Sequence, residues 1–131
     1  MIPRMNLRPF AVLFMMVFLI VGCANIEVSN LTPRTLPLTP SRTYPFEATW
    51  DSNRRGVKSE DVHAWVMVDQ TLYPMTRVAG TANRWEARVP VPEGKTYVPY
   101  KYKFEYIYPG IDTQFMKSEW SPEYRLVVPQ H

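Results

Sequence analysis

Residues 100–108 read Tyr-Lys-Tyr-Lys-Phe-Glu-Tyr-Ile-Tyr. Every second position carries a ring: Tyr100, Tyr102, Phe104, Tyr106 and Tyr108. Between them stand Lys101, Lys103, Glu105 and Ile107. Successive side chains of a strand leave opposite faces, so this spacing puts the rings on one side and mostly charge on the other. A helix would scatter the rings around its axis. The run therefore predicts a half-buried β-strand with its aromatic face turned into a core. Tyr106 and Tyr108, nearest the strand end, are the rings expected to reach solvent.

The same period extends outward in both directions. Tyr44, Phe46, Ala48 and Trp50 alternate with Pro45, Glu47 and Thr49. Val62, Ala64, Val66 and Val68 alternate with His63, Trp65 and Met67, and Trp85, Ala87, Val89 and Val91 with Glu86, Arg88 and Pro90. Tyr124, Leu126 and Val128 close the pattern. Gly56, Gly80, Pro92-Glu93-Gly94 and Pro109-Gly110 break the runs. Asp69-Gln70 falls between two apolar runs and predicts a hairpin into residues 71–76. Pro74 has no amide hydrogen, so that second strand must be short or at an edge. Six or seven short strands without a helical stripe predict an all-β fold, an antiparallel immunoglobulin-like β-sandwich over residues 44–131. Trp50, Trp85, Tyr102, Phe104 and Leu126 are its expected core.

The chain has 131 residues, enough for one domain, and a single cysteine, Cys23. No internal disulfide can brace the sandwich. Rings must supply the burial instead, at about 150–250 Å² each. Of the 4 Trp, 8 Tyr and 6 Phe, only Phe10, Phe14 and Phe18 precede Cys23.

The beginning of the chain has a different character. Arg4 and Arg8 precede an apolar run over residues 9–22, PFAVLFMMVFLIVG, which ends at Cys23. A helix needs roughly 20 apolar residues to span a bilayer, so this run is short for a span and fits a secretory leader. Ile20-Val21-Gly22-Cys23 resembles the lipobox of bacterial lipoproteins. The resemblance implies cleavage after residue 22 and diacylglycerol, commonly with a further palmitate-type acyl chain, on Cys23. It also implies a mature protein held to the membrane by lipid. Ala24 stands where an Asp would retain such a protein at the inner membrane, so the resemblance points to the cell envelope, at the periplasmic face of the outer membrane if the cell is Gram-negative. Two or more acyl chains anchor stably, whereas one holds only marginally.

Residues 23–43 carry Pro33, Pro37 and Pro40 among Thr and Ser, and read as an extended tether with a possible first strand at 26–31. Asn30-Leu31-Thr32 matches a glycosylation sequon and is taken as chance.

Chemistry is sparse. The formal charge of +3 loses Arg4 and Arg8 with the leader, which leaves 13 basic and 12 acidic side chains. That near-neutral balance predicts no nucleic-acid partner. His63 is the one internal histidine and falls on an outward strand position. No base stands beside a nucleophile, no serine sits in G-x-S-x-G, and no Gly-rich phosphate loop or metal-ligand spacing occurs. The sequence predicts no enzyme, no cofactor and no metal. Candidates for ligand stacking are Trp65, on an outward position, Trp120, in a polar loop, and Tyr108.

Met75, Trp85, the Pro92-Glu93-Gly94 turn and Tyr100-Lys101-Tyr102-Lys103-Phe104 follow one another as in early-set immunoglobulin-like modules. This stretch resembles the glycogen-binding modules of starch enzymes. In those modules a pair of exposed Trp with a Lys and an Asn binds the glucan. The positions shared here are sandwich-building ones, and none is assigned to that platform. The expected role is a membrane-anchored envelope lipoprotein whose non-catalytic sandwich is structural or binds a protein partner in the envelope. The alternative is a carbohydrate-binding module for glycan or peptidoglycan.

Overall fold

The computed structural model describes residues 26–52 and 56–130. The leader, the lipobox and Cys23 lie outside the described residues. Nine strands follow in order: β1 (Ile26–Asn30), β2 (Thr43–Ser52), β3 (His63–Val68), β4 (Thr71–Pro74), β5 (Thr76–Arg77), β6 (Arg84–Pro90), β7 (Tyr97–Pro109), β8 (Gln114–Trp120) and β9 (Tyr124–Val127). The described residues add one 3₁₀ turn, Ser59–Asp61.

One sheet has the order β1-β2-β6-β5, and the other β4-β3-β7-β8 with β9 also on β7. All strand pairs are antiparallel. Tyr100 lies between Val68 of β3 and Tyr124 of β9, and Lys103 between Trp65 of β3 and Trp120 of β8. Thus β8 and β9 run one after the other along the same side of β7. This is the immunoglobulin-like β-sandwich that the alternating runs predict.

The strand count exceeds six or seven for two reasons. Residues 71–76 do not stay in one sheet. Met75 turns inward to 8% exposure and its amide bonds the Ala64 carbonyl, so β4 ends one sheet and β5 begins the other. The second reason is β8, a strand that the alternating runs do not mark because its side chains show no apolar period of two. At the β3–β4 hairpin both loop residues take positive φ, Asp69 at 46° and Gln70 at 72°, the twist a two-residue turn needs.

The core is ring on ring between the sheets. Trp50 of β2 stacks on Phe104 of β7 at 6.2 Å, Trp85 of β6 meets the same ring edge-on at 5.6 Å, and Phe46 meets Tyr100 at 4.9 Å. The expected core residues Trp50, Trp85, Tyr102, Phe104 and Leu126 are all buried. Tyr106 departs from expectation at 1% exposure, because Trp50 covers it at 5.3 Å.

Residues 31–36, which the proline spacing reads as tether, lie against the sandwich. The Leu31 amide bonds the Glu47 carbonyl, and the segment 34–36 exchanges backbone bonds with Val127. Thr32 is buried, and its hydroxyl meets the Tyr102 hydroxyl at 2.8 Å. The Asn30 amide donates to Tyr100 Oη at 2.8 Å, while its carbonyl oxygen accepts from Tyr102 Oη at 2.7 Å. The sequon asparagine is thus held in the network that closes the domain.

Candidate functional site

Strand alternation decides what faces water on the five-stranded sheet. β7 turns its rings inward, so Lys101, Lys103, Glu105 and Ile107 face out. β3 turns Val and Ala inward, so His63, Trp65 and Met67 face out beside them. Register then aligns three strands into one row: Trp65 opposite Lys103, and Lys103 opposite Trp120. Neighbouring strands lie about 4.8 Å apart, so the two indoles sit on either side of one lysine, roughly 10 Å apart at the backbone.

The lysines sit against the rings. Lys103 Nζ lies 5.7 Å from the Trp65 ring centre and 5.6 Å from that of Trp120. Lys101 Nζ lies 4.7 Å from the Trp120 ring. Such contacts contribute about 0.5–1 kcal/mol each at exposed sites. Lys103 also pairs with Glu105 at 2.9 Å, which fixes its head between the indoles. His63 extends the row's edge, 6.2 Å from Trp65. Trp65 is half-buried by these neighbours, and Trp120 stays 45% exposed. Chemically this is a flat apolar surface with ammonium groups set into it. It can stack a sugar or peptide ring and donate hydrogen bonds to hydroxyls or carboxylates.

Two of the three stacking candidates are brought together and one is not. Trp65 and Trp120 share the row. Tyr108 leaves the opposite face of β7, half-buried against the core, with Lys117 Nζ at 4.7 Å over its ring. Trp120 lies at the end of β8 rather than in a loop. Sequence reasoning missed Lys101 and Lys103 as members of the site. Both were legible as outward residues, but the pairing of positions 65, 103 and 120 is a matter of register between distant segments.

Elsewhere, a depression of about 300 Å³ opens between Asn30, Arg34, Tyr124 and Arg125. Arg125 is engaged there with the Tyr97 ring at 5.0 Å. Among the described residues, no three of His, Cys, Asp and Glu stand together as metal ligands. None of the helices among them is long and apolar enough to cross a membrane.

No family model matches the chain, and no curated protein does either. Among solved structures, it is similar to AggA, the major subunit of aggregative adherence fimbriae type I from Escherichia coli. The match covers 84% of this chain and 98% of that one, with TM-score 0.46 and 8% identity. AggA is a fimbrial subunit, and likeness at this level says nothing about the role of this chain.

Proposed function

We propose that this chain is a lipid-anchored envelope protein whose β-sandwich is a non-catalytic binding module, working through the outer face of its five-stranded sheet. The anchor reading rests on the sequence: a basic start, a short apolar run and Ile20-Val21-Gly22-Cys23. The binding reading rests on one observation, the row Trp65–Lys103–Trp120 across three neighbouring strands. Tryptophan is enriched in contact hot spots, and here a half-buried and an exposed indole share one row of the outer face. The partner is an envelope component.

A carbohydrate partner is the second reading, and the twin indoles favour it specifically. Sugar rings present C–H faces to indoles and hydroxyls to lysine heads. Titration of intrinsic tryptophan fluorescence with soluble α-glucans and peptidoglycan fragments tests it. Saturable quenching is expected in the wild type and its loss in Trp65→Ala, Trp120→Ala and Lys103→Ala. No response to any of these polymers removes the carbohydrate reading and leaves a protein partner, to be captured by crosslinking in membranes.

The anchor has its own test. Mass spectrometry of the protein from membranes should find Cys23 as the first residue, carrying diacylglycerol. A chain that retains Met1, or a free thiol at Cys23, removes the anchor and with it the proposed location.

A further inference from the structure

Sheet edges invite other strands unless something blunts them. Here β5 has two residues, β4 has four and ends on Pro74, and the free side of β9 takes the segment 34–36. β1, at the other end of its sheet, has five residues, whereas β8 has seven, no proline, and among the described residues pairs only with β7. Its hairpin also carries four of the eight exposed large apolar side chains among the described residues: Ile111, Phe115, Met116 and Trp120.

The backbone of β8 has a definite polarity. The Gly110 amide bonds the Thr113 carbonyl, and the Ser121 amide bonds the Tyr102 carbonyl. Bonded pairs alternate in an antiparallel ladder, so Phe115, Lys117 and Glu119 spend their backbone groups on β7. Gln114, Met116, Ser118 and Trp120 therefore point theirs away, at the open edge.

We propose that β8 pairs with β8 of a second copy of this chain, antiparallel about a two-fold axis at Ser118, so that one sheet runs through both molecules. The sequence of the strand selects this register. With the axis at Ser118, Lys117 faces Glu119 of the other copy, and the same pair forms again by symmetry. Met116 then faces Trp120 of the other copy on the outer face, also twice, a sulfur–aromatic contact of a favourable kind. Moving the axis one residue, to Lys117, sets the two lysines against each other. Moving it to Met116 sets Phe115 against Lys117 and Glu119 against Thr113. Only the Ser118 axis satisfies both charges, and it also joins the outward amides and carbonyls of Met116, Ser118 and Trp120 to those of the other copy. Lys117 and Glu119 are in no ion pair among the described residues. Glu119 accepts a hydrogen bond from the Tyr106 hydroxyl at 3.3 Å and Lys117 lies over the Tyr108 ring, so pairing with the other copy would add to these contacts.

This inference shares Trp120 with the binding surface but does not depend on the binding reading, since its readout is mass rather than ligand response and its variants lie outside the Trp65–Lys103–Trp120 row. The full chain is purified in density-matched detergent and followed by sedimentation velocity over a wide concentration range. A reversible monomer–dimer equilibrium is expected. Lys117→Glu and Glu119→Lys should each weaken it by about tenfold, since two attractive cross-strand pairs become repulsive, and the double exchange should restore it. Ser118→Pro removes an amide that β7 does not use, and should abolish the dimer while near-ultraviolet circular dichroism shows the monomer fold unchanged. A wild type that is monomeric throughout overturns the proposal. So does a dimer that survives Ser118→Pro, single exchanges that associate like wild type, or a folded double exchange that stays monomeric.

Discussion

Tyr102 takes a hydroxyl into the interior and has it satisfied there. Its Oη donates to the Asn30 carbonyl oxygen at 2.7 Å, meets the Thr32 hydroxyl at 2.8 Å and lies 3.1 Å from the Glu47 carbonyl. Burial pushes this phenol far above its ordinary pKa, and the hydrogen bond with Thr32 pulls back only part of the shift. Burial raises Tyr100 too, against the bond from Asn30. The folded chain therefore holds these protons more tightly than the unfolded chain, whose phenols ionise near pH 10. Stability should be level below about pH 10 and then fall as pH rises, by about 1.4 kcal/mol per unit for each phenol. Urea melts at a series of alkaline pH values check this. Tyr102→Phe should make the decline shallower. At neutral pH the same substitution should cost about 1 kcal/mol, because the Glu47 carbonyl keeps its bond from the Leu31 amide.

Two elements carry predictions of their own. The β3–β4 turn holds Gln70 at φ 72°, a left-handed conformation that a side chain disfavours by about 1–2 kcal/mol. Gln70→Gly should raise stability by about 0.5–1 kcal/mol in the same melts, since glycine's unfolded-state freedom offsets part of the relief. Asp69 is left alone because it pairs with Lys95 at 2.7 Å. The second element is the segment 26–36, which completes β1, seats Thr32 under Tyr102 and covers the edge of β9. Deleting it should cost about 3–5 kcal/mol, from several backbone and side-chain bonds at roughly 1 kcal/mol each. A deletion that melts like the full chain would return the segment to the status of a spacer.

At the scale of the molecule, two sheets are joined by a core of stacked rings filled in by aliphatic side chains such as Val66, Val89, Val98 and Leu126. Phe104 is the centre of that joint, since it touches both Trp50 and Trp85 from the opposite sheet. Phe104→Ala should lower stability by about 3–5 kcal/mol in guanidinium melts, and Trp85→Ala by a similar amount. A loss under about 1 kcal/mol would show that the joint lies elsewhere. The outer row contributes differently. Lys103→Ala removes two cation–ring contacts and the pair with Glu105, all near solvent, so its effect on melting should stay within about 1–2 kcal/mol even if ligand response disappears.

The amino-acid sequence by itself determined the strands that have one wet face and one dry face. Water and core impose a period of two on β2, β3, β6 and β7, and Asp69-Gln70 marks the tight turn between β3 and β4. It likewise carries the lipobox resemblance, which is a matter of covalent processing and needs no fold to be read. Tertiary structure decided what depends on register and on leaving the sheet. β8 was invisible because its side chains face solvent on both sides, so no apolar alternation marks it. Residues 31–36 looked like a spacer because proline spacing says nothing about backbone bonds made to distant strands. Trp65, Lys103 and Trp120 become one surface only when β7 lies between β3 and β8. Local sequence sets which face a side chain leaves, but the pairing of strands far apart in the chain sets what stands beside it.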